Sequence, residues 1–189
     1  MGYNAFLRKL GDIGQATEVA GTAIFQKVDP VAGARACIQR LSVLTLATAH
    51  VLTVMKNSAK VFASAEAAAA QKILNITEDP GSIATNDYCI IKLADGTYQM
   101  NMVASVSTLA ITFTDNFTAI VESGAPVWFF GVVGDSHPQY TLTANAENEF
   151  ESPYGYFVAA DRGVPLILSI DNGTNASVLQ GGVVAYINA

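Results

Sequence analysis

The stretch from Asp87 to Gly134 constrains this chain most. Short apolar runs there are punctuated by turn chemistry: Ala94-Asp95-Gly96-Thr97, Asp115-Asn116 and Ser123-Gly124-Ala125-Pro126. The strand formers are β-branched and aromatic, as in Thr108-Leu109-Ala110-Ile111-Thr112-Phe113-Thr114, and such side chains fit a pleated surface. An Asp-Gly pair between two such runs signals a hairpin, because its conformers suit tight turns that match strand twist. The segment reads as a β-meander. It holds no recognisable catalytic constellation.

The rest of the chain is read against that stretch. Tyr3, Phe6, Leu7 and Leu10 share a helical face that Gly11 can stop, which predicts a short helix over 3–10. Residues 11–28, broken by Gly11, Gly14 and Gly21, give no clear pattern. Asp29-Pro30 has the chemistry of a helix start, and Val31, Ala34, Ile38 and Leu41 follow at helical spacing, predicting a helix over 30–40. Strands are expected over 41–55, 59–63 and 72–77, with a short helix or turn at 64–71 and a turn at 79–82. Asp135-Ser136-His137-Pro138 breaks the apolar pattern and marks a boundary. Beyond it, Tyr140, Leu142 and Ala144 alternate with Thr141 and Thr143, and residues 145–155 read as a polar, acidic loop. Strands are then expected at 157–159, 164–170, 178–179 and 183–187, the last two divided by Gly181-Gly182. Short strands with turn signals every 8–12 residues or so are the pattern of a sandwich or small barrel. The expected fold is mainly β with a short helical N-terminal region and β-sandwich or small β-barrel modules. Three divisions are expected: an N-terminal arm at 1–40, a β-meander or barrel domain at 41–134, and a sandwich-like domain at 135–189.

Composition narrows the function classes. Charged residues make up 14% of the chain and hydrophobic residues 51%, against about 25% charged in an ordinary globular protein. A membrane span does not account for this. The most apolar window, Leu41 to Met55, contains Ser42, Thr45, Thr48, His50 and Thr53 and is bracketed by Arg40 and Lys56, whereas a spanning helix needs about 20 predominantly apolar residues. No basic segment followed by a hydrophobic one opens the chain, so no secretory signal is expected. A subunit whose surface is covered by neighbours is the better explanation.

Charge is divided unevenly. Residues 1–60 hold seven basic and three acidic side chains, net +4, and the remainder holds three against thirteen, net −10. A basic leader on an acidic body suggests docking on an acidic partner. The candidate partner-contacting residues are therefore Phe6, Arg8, Lys9, Lys27, Arg35 and Arg40, with Trp128 from the aromatic Trp128-Phe129-Phe130 run. The basic residues are neither clustered nor interleaved with a stacking platform, so nucleic acid is not an expected partner.

Catalytic and metal chemistry is not evident. His50 lies in an apolar strand-like window and His137 in a turn, where packing and loop roles are the ordinary ones. Cys37 and Cys89 lack CxxC spacing and read as buried free thiols. Glu147, Glu149 and Glu151 fall on one side of an extended segment and could approach Ca²⁺, but the EF-hand spacing is absent and most charge runs are solvated faces. Phosphate loops and the GxSxG elbow are missing. No enzyme activity, cofactor or metal is expected.

The Ala/Thr/Val-rich strands carry a resemblance. With them go Asp87 to Thr97, Gly124 to Gly131, and Asn172-Gly173-Thr174-Asn175-Ala176 to Val184-Ala185-Tyr186-Ile187. In style, residues 40–189 resemble virion structural proteins of tailed bacteriophages, capsid decoration or cement proteins in particular. That resemblance implies a non-enzymatic protein of the virion, on the capsid surface and assembled in the host cytoplasm. Its partner would be the major capsid protein or another virion protein, and it would act as a dimer or trimer, with the N-terminal arm reaching onto the shell. The alternative is a tail fibre or baseplate module that binds a receptor or glycan through Trp128, Tyr154, Tyr156 and the acidic loop.

Overall fold

A computed structural model describes residues 8–13, 16–17, 23–45, 49–132, 137–151, 158–171 and 177–187, of which 8–13, 16–17 and 177–180 are described by backbone alone. Every regular element among them is a β-strand. The chain divides into two compact units, Met1–Lys56 with Ser136–Ala189, and Asn57–Asp135. The second unit is thus an insert in the sequence of the first. This replaces the serial division at 40 and 134: position 40 falls inside a continuous strand, and the C-terminal segment belongs with the N-terminal one.

The first unit begins with β1 (Arg8–Ile13), β2 (Ala16–Thr17), β3 (Ile24–Val28), β4 (Arg35–Thr45) and β5 (His50–Met55). The insert contributes β6 (Ala59–Phe62), β7 (Ile73–Asn75), β8 (Tyr88–Lys92), β9 (Tyr98–Ser107), β10 (Ala110–Phe113) and β11 (Pro126–Gly131). The first unit then resumes with β12 (Gln139–Leu142), β13 (Ala146–Glu151), β14 (Val158–Arg162), β15 (Leu166–Ile170) and β16 (Ser177–Ile187).

In the first unit, β1 and β2 lie end to end along one edge of β16, β4 lies along the other, and β13 and β14 lie end to end on the far edge of β4. A second sheet runs β12-β5-β15-β3. With β1/β2 and β13/β14 each counted as one row, the unit has eight rows. The first row pairs with the last, the second with the seventh, the third with the sixth and the fourth with the fifth. That nesting is the winding of a jelly roll. Side chains from both sheets fill its interior, among them Ile24, Ile38, Leu41, Leu52, Leu142, Val158, Leu168 and Val184.

Two N-terminal expectations are overturned. Residues 8–10 of the predicted 3–10 helix form part of β1, paired with β16 through Arg8↔Ile187, Lys9↔Tyr186 and Leu10↔Ala185; the remainder of that helix lies outside the described residues. The predicted 30–40 helix is a turn followed by the first half of β4: Ala34 N–H donates to the Val31 carbonyl (3.1 Å) and Gly33 sits at φ +73°. A bulge explains the misleading spacing. Ile38 pairs with Val184 and Arg40 with Val183, so Gln39 is an extra residue in the ladder. That insertion brings Ile38 and Leu41, three residues apart, into the same core. The run therefore shows a helix-like i, i+3 repeat while lying in a strand. A similar shift between Leu179 and Gly181 lets β16 pass through the Gly-Gly pair as one strand rather than two.

The acidic loop expected over 145–155 is also corrected, as far as it is described. Residues 146–151 form β13, paired with β4 from Ala146↔Thr45 to Glu151↔Arg40. Phe150 packs on the jelly-roll core, edge-on to Tyr140 with centroids 5.5 Å apart, while the glutamates alternate outward.

The insert is a closed barrel. Its strands run in the order β6-β11-β8-β9-β10-β7. The two end strands meet at an Ala63–Ile76 bridge, flanked by hydrogen bonds from Ser64 N–H to the Asn75 carbonyl (2.8 Å) and from Thr77 N–H to the Phe62 carbonyl (2.9 Å). β8, β9 and β10 form the expected meander. β11 does not continue it; it crosses to the other side of β8 and pairs with β6. The Asp95-Gly96 hairpin forms as its chemistry requires: Gly96 takes φ +84°, and Asp95 Oδ1 accepts from Thr97 N–H (2.9 Å) and Thr97 Oγ1–H (2.7 Å). Val61, Leu74, Ile91, Val103, Phe113, Phe117 and Phe129 fill the interior.

Candidate functional site

The partner-contacting residues expected from sequence are divided between the two units and, within the first, between its two sheets. Lys27, on β3, is paired with Asp29 at 2.5 Å. Arg35 and Arg40 lie on β4, in the other sheet; Arg40 donates to Glu149 at 2.7 Å, and that bond, with the Glu149 charge, raises its pKa. Arg8 and Lys9 sit in β1, where the backbone alone is described, and Phe6, Tyr154 and Tyr156 lie outside the described residues. Trp128 belongs to β11 in the insert. Its side chain is buried at 3% exposure, with the Tyr98 ring 6.1 Å away and Lys60 Nζ 5.5 Å from its centroid. It is not the exposed platform that a glycan reading of Trp128 requires.

The charge layout changes with the fold. The jelly-roll unit holds seven basic and eight acidic residues, net −1, and the inserted barrel three and eight, net −5. The basic leader is largely absorbed into a near-neutral sandwich whose strands also come from the acidic C-terminal part. Acidity is concentrated in the insert.

Several titratable groups are engaged in the fold. Glu147, Glu149 and Glu151 stand on one side of β13, where Ser42 Oγ–H donates to Glu147 (2.9 Å) and Arg40 to Glu149. Among the described residues, no group of three His, Cys, Asp or Glu side chains is placed to hold a metal ion. His50 is buried at the start of β5, its Nδ1 3.0 Å from Asp171 Oδ1, and the same oxygen accepts from Val51 N–H (3.0 Å). Cys37 and Cys89 are free and buried. Burial raises the pKa of both thiols.

One concave surface stands out on the insert. It is an open groove of about 570 Å³ over the seam where β6 meets β7, bordered by Ser64, Asn75, Thr77, Ser107, Thr108 and Leu109. Among the described residues, the exposed large hydrophobics Phe62, Ile73, Leu109, Ile120 and Val132 all belong to the insert. Sequence reading missed this groove. Its polar residues form no motif, and the β9–β10 turn that builds one wall, Thr108-Leu109, contains no Gly, Asn or Asp.

No family model matches the chain, and no curated protein matches it. Among solved structures it is similar to the VP16-VP17 complex of the two major capsid proteins of bacteriophage P23-77, at 8% identity and TM-score 0.21, over 97% of this chain and 100% of that one. It is similar to the P23-77 capsid protein VP17 at 8% identity and TM-score 0.20, over 100% of both chains. The infectious bursal disease virus VP2 subviral particle matches at 12% identity and TM-score 0.13, over 96% of this chain and 42% of that one. At these scores the fold assignment rests on the strand pairing described above.

Proposed function

We propose that this chain is a non-enzymatic structural protein of a viral capsid that works by binding other virion proteins, copies of itself among them. The strand order of the first unit carries the reading. An eight-row jelly roll is an architecture of viral capsid domains, lectins and cupins. Its interior here is packed with aliphatic side chains, which leaves function to the surface. Fold alone does not assign function, so composition adds its weight: 14% charged residues suit a protein whose surface is shared with neighbours. Apolar area withdrawn from water between subunits contributes about 25 cal/mol per Å², less the cost of ordering.

The topology favours a subunit built into the shell over the clip on its outer surface expected from sequence. The clip reading relied on a docking arm over residues 1–40, yet the strands at 8–13, 16–17, 24–28 and 35–45 are all rows of the sandwich. Co-expression with the structural proteins encoded beside its own gene, followed by gradient purification and electron microscopy, tests this. A shell subunit appears as a stoichiometric, integral part of particles that do not form without it. Particles that form without it and acquire it afterwards identify a cement protein, and absence from every particle overturns the capsid role.

A further inference from the structure

We propose that the groove over the seam of the inserted barrel binds a neutral oligosaccharide. This proposal is independent of the shell reading; it rests on the chemistry of one surface. Ser64, Asn75, Thr77, Ser107 and Thr108 border the groove, and none of their side chains makes a hydrogen bond within the described chain. Elsewhere in the barrel comparable side chains are engaged: Asn101 Nδ2–H donates to the Asp115 carbonyl (2.9 Å), Ser58 Oγ–H to the Phe129 carbonyl (3.0 Å), and Gln99 Oε1 accepts from Thr118 N–H (2.9 Å). The groove therefore presents uncommitted donors and acceptors beside the apolar Ile76, Leu109 and Ala110 that also line it. Asn75 also borders a second hollow of about 470 Å³, with Glu66, Gln71 and Lys72 on its wall. Asn75 is the lining residue common to both.

Charge selects among ligands. No charged side chain borders the first groove, Glu66 and Lys72 in the second are of opposite sign, and the barrel as a whole is at net −5. Sulfated, sialylated or phosphorylated ligands meet no cation in the first groove and a repulsive field around it. A cation finds no carboxylate there. A neutral polyol matches, since its hydroxyls both donate and accept, as Ser, Thr and Asn do. Apolar side chains match its C–H faces: Leu109, 44% exposed, lines the first groove, and Ile73, 55% exposed, lines the second. A protein partner is the poorer fit, because interface cores favour aromatic residues, Met and Arg and are depleted in Ser and Ala.

The test is saturation-transfer NMR on the full-length protein. The probes are neutral hexasaccharides of glucose, mannose and N-acetylglucosamine, with a sulfated heparin hexasaccharide as the anionic control. At least one neutral probe is expected to receive saturation at millimolar concentration, and the sulfated probe none. Asn75→Ala and Thr77→Ala each remove one hydrogen-bonding group and should weaken binding about three- to tenfold. Gln139→Ala, on the jelly roll, should leave it unchanged. All three side chains are exposed or nearly so, and a thermal melt matching that of the parent confirms that each variant is folded. Silence from every neutral probe, a signal from the sulfated probe as strong as from the neutral ones, or unaltered binding in both groove variants overturns the proposal.

Discussion

Replacing Phe113 by Ala tests whether the two units are separately cooperative. Phe113 lies in β10 at 1% exposure and packs edge-on to Phe117, with ring centroids 5.6 Å apart at 64°. Truncating a buried Phe to Ala costs about 3–5 kcal/mol, through lost transfer energy and the cavity left behind. The aromatic pair places this site towards the upper end. A unit the size of the insert has a total stability on the order of 4–12 kcal/mol, and each kcal/mol lowers its melting temperature by about 4–8 °C. The variant should therefore lose at least a third of the barrel's stability and about 15 °C or more of its melting temperature. Hydrogen exchange read by mass spectrometry is the assay. Peptides covering 88–113 should lose protection by a factor of about 100 or more, since each 1.4 kcal/mol is tenfold. Peptides covering 35–45 and 166–170 should keep theirs. Phe113→Leu, which conserves most of the volume, should cost under about 1.5 kcal/mol. Equal loss of protection in both units would refute the reasoning, because it would make the chain a single cooperative structure.

Other consequences follow from particular groups. Asn148 Oδ1 accepts from Thr143 N–H at 2.7 Å, and its Nδ2 donates to the Ala146 and Thr143 carbonyls at 3.1 and 3.2 Å. Asn148→Ala should cost about 1–3 kcal/mol by orphaning those groups, which a denaturant titration measures. The hydrogen bonds from Thr97 Oγ1–H and N–H hold the Asp95 carboxyl below its usual pKa. That linkage stabilises the fold above the unfolded-state pKa and is lost as pH falls through the lower folded-state value. Thr97→Val should move the Asp95 titration, followed by carboxyl NMR, upward towards the ordinary range. Cys37 and Cys89 are buried thiols of raised pKa, so neither should react with Ellman's reagent near neutral pH until the protein is unfolded.

Local chemistry was legible in the sequence, and long-range pairing was not. The Asp95-Gly96 hairpin could be read because its turn is dictated by two residues, and the outward alternation of Glu147, Glu149 and Glu151 because a strand's period is two. The 30–40 segment misled because the bulge at Gln39 lets Ile38 and Leu41 share a face as they would in a helix. Residues 145–155 read as a loop because the glutamates masked Phe150, whose ring reaches the core. The pairing of Arg8 with Ile187, the jelly-roll winding and the nested insert depend on partners that no local pattern identifies. The groove escaped for a related reason: Ser64, Asn75 and Ser107 become neighbours through barrel closure, and none is an unusual residue on its own.

The central claim, that the chain is built to associate with its own kind in a shell, is tested most directly by the particle mass of the purified full-length protein as concentration rises. Mass photometry and negative-stain microscopy read the same samples. The account predicts discrete oligomers that grow into closed or sheet-like assemblies. A strictly monomeric protein at every concentration, which also fails to join particles made by its neighbouring structural proteins, would contradict it.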